Sequence, residues 1–211
     1  MEQNMPSQEP IRLNIGCGGR PLLNYINVDM DDLETMRQRY PNQTFSDEIK
    51  LANYDVFNLP FADGTVDEIK ADGFLEHLSF EEEPKFLKEV RRVLKPGGHF
   101  VFSVPDFEEV CKIWLAAKDD WKDFYRTDGE AIATRHWFGN NSYALDNRWG
   151  YLTAIIYGSQ HGEGQYHKNC YSAGKIRAMC AKLGFDVAAL NHTRWKGERD
   201  PMLDADIVKR G

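Results

Sequence analysis

Residues 13–29 read LNIGCGGRPLLNYINVD, and the fold is decided here. A β-rich run, IRLNI (11–15), stops abruptly in Gly16-Cys17-Gly18-Gly19, and a second, YINVD (25–29), ends on an acid. Only RPLLN (20–24) lies between them, room for about one helical turn. Two short apolar strands, the first ending in glycines and the second in aspartate, open an α/β sheet with a ligand site at its strand ends.

The alternation continues downstream. After a polar stretch (31–50) with a Pro41-Asn42 turn signal, NYDVFNLPFADG (53–64) predicts a third strand ending near Asp55, then a turn at Pro60 and Gly64. VDEIKAD (66–72) alternates as a fourth strand would. EEEPKFLKEVRRVLKPGG (81–98) is a helix whose stripe is Phe86, Leu87, Val90, Val93 and Leu94, stopped by Lys95-Pro96-Gly97-Gly98. HFVFSVPD (99–106) predicts a fifth strand. A second helix in YSAGKIRAMCAKLGF (171–185), C-capped by Gly184, feeds DVAAL (186–190), and LDADIVKR (203–210) reads as a seventh, edge strand.

Residues 107–170 break the rhythm. The block is too long for a βα connection of ~2–6 residues and is read as an insertion, or lid, within a single domain spanning 1–211. It holds Trp114, Trp121, Trp137 and Trp149, four of the five tryptophans. These rings form either the insertion's own core or the floor of a substrate pocket.

The 211 residues are 42% apolar and 28% charged, which excludes a disordered or fibrous chain. No run reaches the ~18 apolar residues of a membrane span. With 33 acids against 26 bases the net charge is −7, a field that repels phosphate backbones, so no nucleic-acid partner is expected. Cys17, Cys111, Cys170 and Cys180 form no CxxC pair, and MEQNMPSQEP lacks the basic and apolar regions of a signal peptide. The expectation is free thiols in a cytoplasmic protein.

Ligands of open α/β sheets bind beyond the carboxyl ends of the strands. Those ends here offer GCG, Asp29, Asp55, Asp72 with Glu76-His77, and Asp106. Glycines admit a ligand close to the backbone, an acid after strand two accepts ribose hydroxyls, and one after strand three accepts an adenine amino group: an adenosine site. A dinucleotide fingerprint is disfavoured, since Pro21 occupies its third glycine position and Asp29 follows Gly18 by only eleven residues rather than about twenty. A phosphate loop is excluded by the lack of GK[ST].

LNIGCGG with INVD, then YDVFNLPFADGTVDEI, FLEHL and EVRRVLKPGGHFVFSVPD, together resemble a class I S-adenosyl-L-methionine (SAM)-dependent methyltransferase of the bacterial type 11 branch. The resemblance is motif by motif over 11–106 and by pattern over 171–211. It implies a Rossmann-like seven-stranded, mostly parallel sheet with helices on both faces, and SAM as cofactor. It also implies residue roles. Gly16, Cys17 and Gly18 would pass beneath the methionine part of SAM, Asp29 would hold the ribose, and Asp55 with Val56 would read the adenine. Asp72 and Gly73 would face the sulfonium methyl. Asn14 stands where the superfamily often has an acid, Arg20 replaces a third glycine, and the helix between strands one and two is nearly absent. Arg20 reaches either the SAM carboxylate or solvent.

Methyl transfer to a hydroxyl needs alignment and removal of a proton, usually by histidine. His77, five residues past strand four, is the best-placed base. His161 and His167, in the glycine-rich GSQHGEGQYHKN (158–169), are alternatives from the insertion, where His136 also lies, whereas His99 and His192 fall in strands and read as structural. Ubiquinone-pathway and small-RNA methyltransferases carry E-x-x-E-H where this chain has GFLEH. Gly73 breaks that chelating set, so no metal is expected, although Glu76, His77 and an insertion histidine are a conceivable remnant. The leading expectation is O-methylation of a small-molecule or saccharide acceptor, its rings met by aromatic faces and by Asn140, Asn141, Asp146, Asn147 and Gln165. An N- or natural-product methyltransferase and a SAM-binding module without turnover are the alternatives.

Overall fold

The computed structural model describes residues 9–121, 145–160, 164–196 and 198–211. Seven strands form one sheet in the order β3-β2-β1-β4-β5-β7-β6. They are β1 (Arg12–Ile15), β2 (Ile26–Val28), β3 (Lys50–Ala52), β4 (Val66–Asp72), β5 (Leu94–Pro105), β6 (Phe185–Trp195) and β7 (Asp200–Lys209). All pairs through β5 are parallel; β7 runs antiparallel between β5 and β6. The strand order reverses between β1 and β4, which opens the crevice in which such sheets bind ligands.

The helices are α1 (Leu33–Arg39), α2 (Glu82–Val93), α3 (Phe107–Ala116), α4 (Tyr151–Tyr157) and α5 (Ala173–Leu183). The stripe expected in α2 is wholly buried, and Phe86, Leu87, Val90 and Val93 join the main core with Leu13, Ile15, Ile69, Phe100 and Phe102. Each such side chain contributes about 1.5–3 kcal/mol by leaving water. Ser79 and Glu82 satisfy each other's backbone N–H groups at 3.2 and 2.7 Å, a capping box that fixes where α2 begins. Gly184, left-handed at φ 74°, ends α5 as expected. A second cluster joins α1, through Met36, to Cys17 and Phe45, and a third joins α3 to α4 through Val110, Tyr151 and Ile155.

The structure departs from the sequence reading at four places. The third strand is Lys50–Ala52 and ends before Asp55, because Asn53 turns its amide to the Met30 carbonyl (2.9 Å) and Asp55 opens a turn by accepting from the Phe57 N–H (2.9 Å). The polar stretch contains a helix, α1, N-capped by Asp32. The fifth strand starts at Leu94, directly after α2, because Leu94 pairs with Val66 and a bulge absorbs the Pro-Gly-Gly before His99 meets Glu68. Finally, the last strand is interior and β6 is the edge. Asp204 and Asp206 find Ser103 Oγ (2.7 Å) and His99 Nδ1 (2.8 Å) on β5. The short link from β1 to β2 carries no helix, as expected; Asn27 pins it by accepting from the Leu22 N–H and donating to the Leu22 carbonyl.

Candidate active site

The glycine loop leaves β1 with Gly16 and Gly18 at φ 64° and 47°, in the left-handed region that glycine reaches without strain. The Gly16 and Cys17 N–H groups donate to the Val28 carbonyl at 2.8 and 3.4 Å, so the loop is tied to the end of β2. Phe74 packs so closely that a Cβ on Gly16 would lie 2.4 Å from its ring. Asp29 Oδ2 accepts from the Gly18 N–H (2.8 Å) and Oδ1 from the Asp31 N–H (3.1 Å), which aims the carboxylate along the rim of the sheet.

Above these strand ends lies a cavity of about 430 Å³. Gly16, Gly18, Asp29, Asp55, Val56 and Gly73 line it, so six of the nine residues expected around a cofactor share one cavity. Asn14, Cys17 and Asp72 do not line it. Asn14 is buried and spends its amide on Asn27 Oδ1 (2.9 Å) and the Arg20 carbonyl (3.1 Å), a role in shaping the loop. Cys17 is buried against Met36 and Phe45, and burial pushes its thiol up to about 12, so it stays a protonated packing group. Asp72 pairs with Lys70 at 3.3 Å. Arg20 lies with its guanidinium 4.7 Å from the ring centre of Trp195.

A second cavity, about 220 Å³, adjoins the first, and His77 and Gln165 border both. Its walls include Glu76, Tyr151, His167, Trp195, Lys196 and Asp200. Asp200 is buried and accepts from the Tyr151 hydroxyl (2.8 Å), with Lys196 Nζ 3.3 Å away, so this charge is paired.

At the junction, His77 and His167 stack edge to face with ring centres 4.8 Å apart. His77 Nδ1 lies 3.0 Å from the Tyr166 carbonyl and His167 Nδ1 2.8 Å from the Ile155 carbonyl. A carbonyl only accepts, so each Nδ1 carries the proton and each Nε2 keeps a lone pair. Glu76 is 3% exposed, and its Oε2 has no hydrogen-bond partner. Burial pushes the Glu76 carboxyl up to about 8. Burial likewise holds His77 below its usual range and His167 down to about 4, with the neighbouring His77 adding to the latter.

His161 lies outside the described residues, as do His136, Asn140, Asn141 and Trp137. Of the polar groups expected to meet a sugar, Gln165 lines both cavities, whereas Asp146 and Asn147 bond Lys118 and Asp120. His99 and His192 pair with Asp206 and Asp106, in keeping with structural roles. The sequence reading missed Tyr40, Phe74, Lys168 and Trp195 as walls of the two cavities. Tyr40, just before the Pro41 turn, had a visible signal; Trp195, at the far end of β6, had none.

Residues 13–102 match a family model described as a methyltransferase domain. The chain is 31% identical over 99 residues to a sterol 4-C-methyltransferase of Caenorhabditis elegans, covering 42% of this chain and 29% of that protein. It is 28% identical over 102 residues to methyltransferase GfsG of Streptomyces halstedii (43% and 36%), and 32% identical over 103 residues to the ubiquinone/menaquinone biosynthesis C-methyltransferase UbiE of Haemophilus ducreyi (47% and 38%). The matches thus span about a third of each relative's length. Among solved structures, a SAM-dependent methyltransferase of Methanosarcina mazei aligns with TM-score 0.57 at 14% identity, covering 96% of this chain and 94% of that one. The 1,6-didemethyltoxoflavin-N1-methyltransferase of Burkholderia thailandensis, solved with S-adenosylhomocysteine, aligns with TM-score 0.56 at 13% identity, covering 96% and 72%. The fold is the one these structures share. Among the described residues no helix is long and apolar enough to cross a membrane.

Proposed function

We propose, from the premise that this chain carries a class I SAM-dependent methyltransferase domain, that it transfers the SAM methyl group to an oxygen of a small polyhydroxylated acceptor. SAM occupies the larger cavity: adenine at Asp55 and Val56, ribose hydroxyls on Asp29, methionine along Gly16–Gly18 and sulfonium at Gly73. The acceptor occupies the smaller cavity, with the indole of Trp195 for a ring face and Gln165 and Ser159 for hydroxyls. The observation that supports this reading is that His77 lines both cavities, so a donor in one and an acceptor in the other would meet at one imidazole.

The transfer is an in-line displacement: the acceptor oxygen forms a bond to the methyl carbon as the carbon–sulfur bond breaks, leaving S-adenosylhomocysteine. A sugar hydroxyl is a weak nucleophile until its proton is drawn off, and the lone pairs at His77 and His167 are the groups available for that. Two of the relatives named above are C-methyltransferases and one structural neighbour is an N1-methyltransferase, so the atom methylated is the point to test. Incubation with SAM labelled as CD₃ and a panel of sugar and polyol acceptors is expected to yield a product with the label on oxygen. Label fixed on carbon or nitrogen, from an otherwise turning-over enzyme, would overturn the oxygen assignment. Binding of S-adenosylhomocysteine with no methyl transfer to any acceptor class would favour a binding module instead.

A further inference from the structure

At the cavity junction a buried carboxylate oxygen without a hydrogen-bond partner, Glu76 Oε2, lies beside two half-buried imidazoles. One ligating atom each from Glu76, His77 and His167 lies within 4.8 Å of the others. Glu76 Oε2 is a buried acceptor without a hydrogen bond, which costs roughly 1–3 kcal/mol, more if charged. The two imidazoles have their Nδ1 protons held by backbone carbonyls, leaving both Nε2 lone pairs available. Histidines that ligate metals are oriented by this kind of outer hydrogen bond. We propose that Glu76, His77 and His167 bind a divalent transition-metal cation whose open coordination positions face the acceptor cavity.

Two imidazole nitrogens and one carboxylate oxygen form a donor set suited to zinc, iron or manganese in a site that keeps positions free for substrate. Donors at ~2.0–2.2 Å from one ion require these side chains to draw closer together than the 4.8 Å within which their ligating atoms now lie. The nearby cations each have a carboxylate partner: Lys196 pairs with Asp200 at 3.3 Å and Lys168 with Glu82 at 3.4 Å.

This inference deepens the proposed function and rests on its assignment of the acceptor cavity. With both Nε2 lone pairs on the cation, the cation replaces the histidines in activating the acceptor: a hydroxyl bound to it loses its proton more readily, the proton passing to water, and the resulting oxygen attacks the methyl carbon. The cation changes neither oxidation state nor count, and the products are the methyl ether, S-adenosylhomocysteine and one proton.

The test is equilibrium titration of the full, untagged chain with Co²⁺ alone, followed by visible absorption, with Zn²⁺ as competitor. One equivalent is expected to bind with a ligand-field band that Zn²⁺ abolishes. Glu76→Gln, which keeps the side-chain shape, and His167→Ala should each weaken binding beyond the ~10–100-fold that loss of an outer partner causes. His99→Ala and His192→Ala should bind as the parent does. Thermal melts of each variant separate lost ligation from lost fold. No band in the parent, or equal binding by Glu76→Gln and His167→Ala, would overturn the metal site. Because no SAM is present, that failure is distinguishable from failure of the methyltransferase reading, which S-adenosylhomocysteine calorimetry on the same samples would report.

Discussion

Gly16 shows how much of the site rests on single residues. Its positive φ and the ring of Phe74 against its Cα exclude any side chain, so Gly16→Ala must move either the loop or Phe74. A loss of about 1–3 kcal/mol in stability is expected, read by chemical denaturation. Asp29 acts in two directions, holding the Gly18 N–H and facing the cavity. Asp29→Ala should weaken S-adenosylhomocysteine binding by about 1.5–3 kcal/mol, the scale of charge-assisted hydrogen bonds, and wild-type affinity by calorimetry would remove it from the ribose role. That Asp29 would line a cavity was legible because the signal is local, a short apolar run ending in an acid beside a glycine turn; Asp72, read in the same way, pairs with Lys70 instead. Trp195 was not legible, because nothing within its neighbouring sequence says that β6 delivers it to within 3.8 Å of where a Gly73 Cβ would stand.

Between elements, α2 holds more than its own helix. Glu89, near the middle of α2, accepts from the Leu59 N–H at 2.6 Å, while Arg92 reaches the Phe61 and Leu59 carbonyls at 2.8 and 3.1 Å. The pair therefore staples the loop that begins at the adenine end of the cavity. The Arg92 guanidinium holds the Glu89 carboxyl below the usual carboxylate range. A depressed folded-state value means that the stabilisation is full above the unfolded-state pKa of ~4.3 and fades as pH falls through the folded one. Glu89→Gln should thus cost about 1–3 kcal/mol at pH 7, with the gap to the parent closing in acid. Melting curves from pH 7 to pH 3 check it, and a gap independent of pH would reject the ion pair as its source. Helix existence was readable from period and caps, as α2 and α5 show. Strand limits were not, because the ends of β3 and β5 depend on register with neighbours distant in sequence. The interior place of β7 depends on which partner its alternating acids meet, and alternation alone does not name that partner.

Across the whole molecule, the order β3-β2-β1-β4-β5-β7-β6 puts every expected cofactor contact that lines a cavity on one edge of the sheet. The β6–β7 hairpin and α4 bring Trp195, Asp200 and Tyr151 from the other side to enclose the acceptor cavity. The sequence announced the first half through ordered motifs; the second half is assembled by residues about 75–125 positions downstream of Glu76-His77. The central claim is that SAM lies along this edge with its sulfonium at the His77 junction. A crystal structure of the chain with S-adenosylhomocysteine tests it directly. The account predicts adenine beside Asp55 and Val56, ribose hydroxyls on Asp29 and sulfur beside Gly73, facing His77. Nucleoside bound with adenine at the His77 end, or bound outside this cavity, would contradict it.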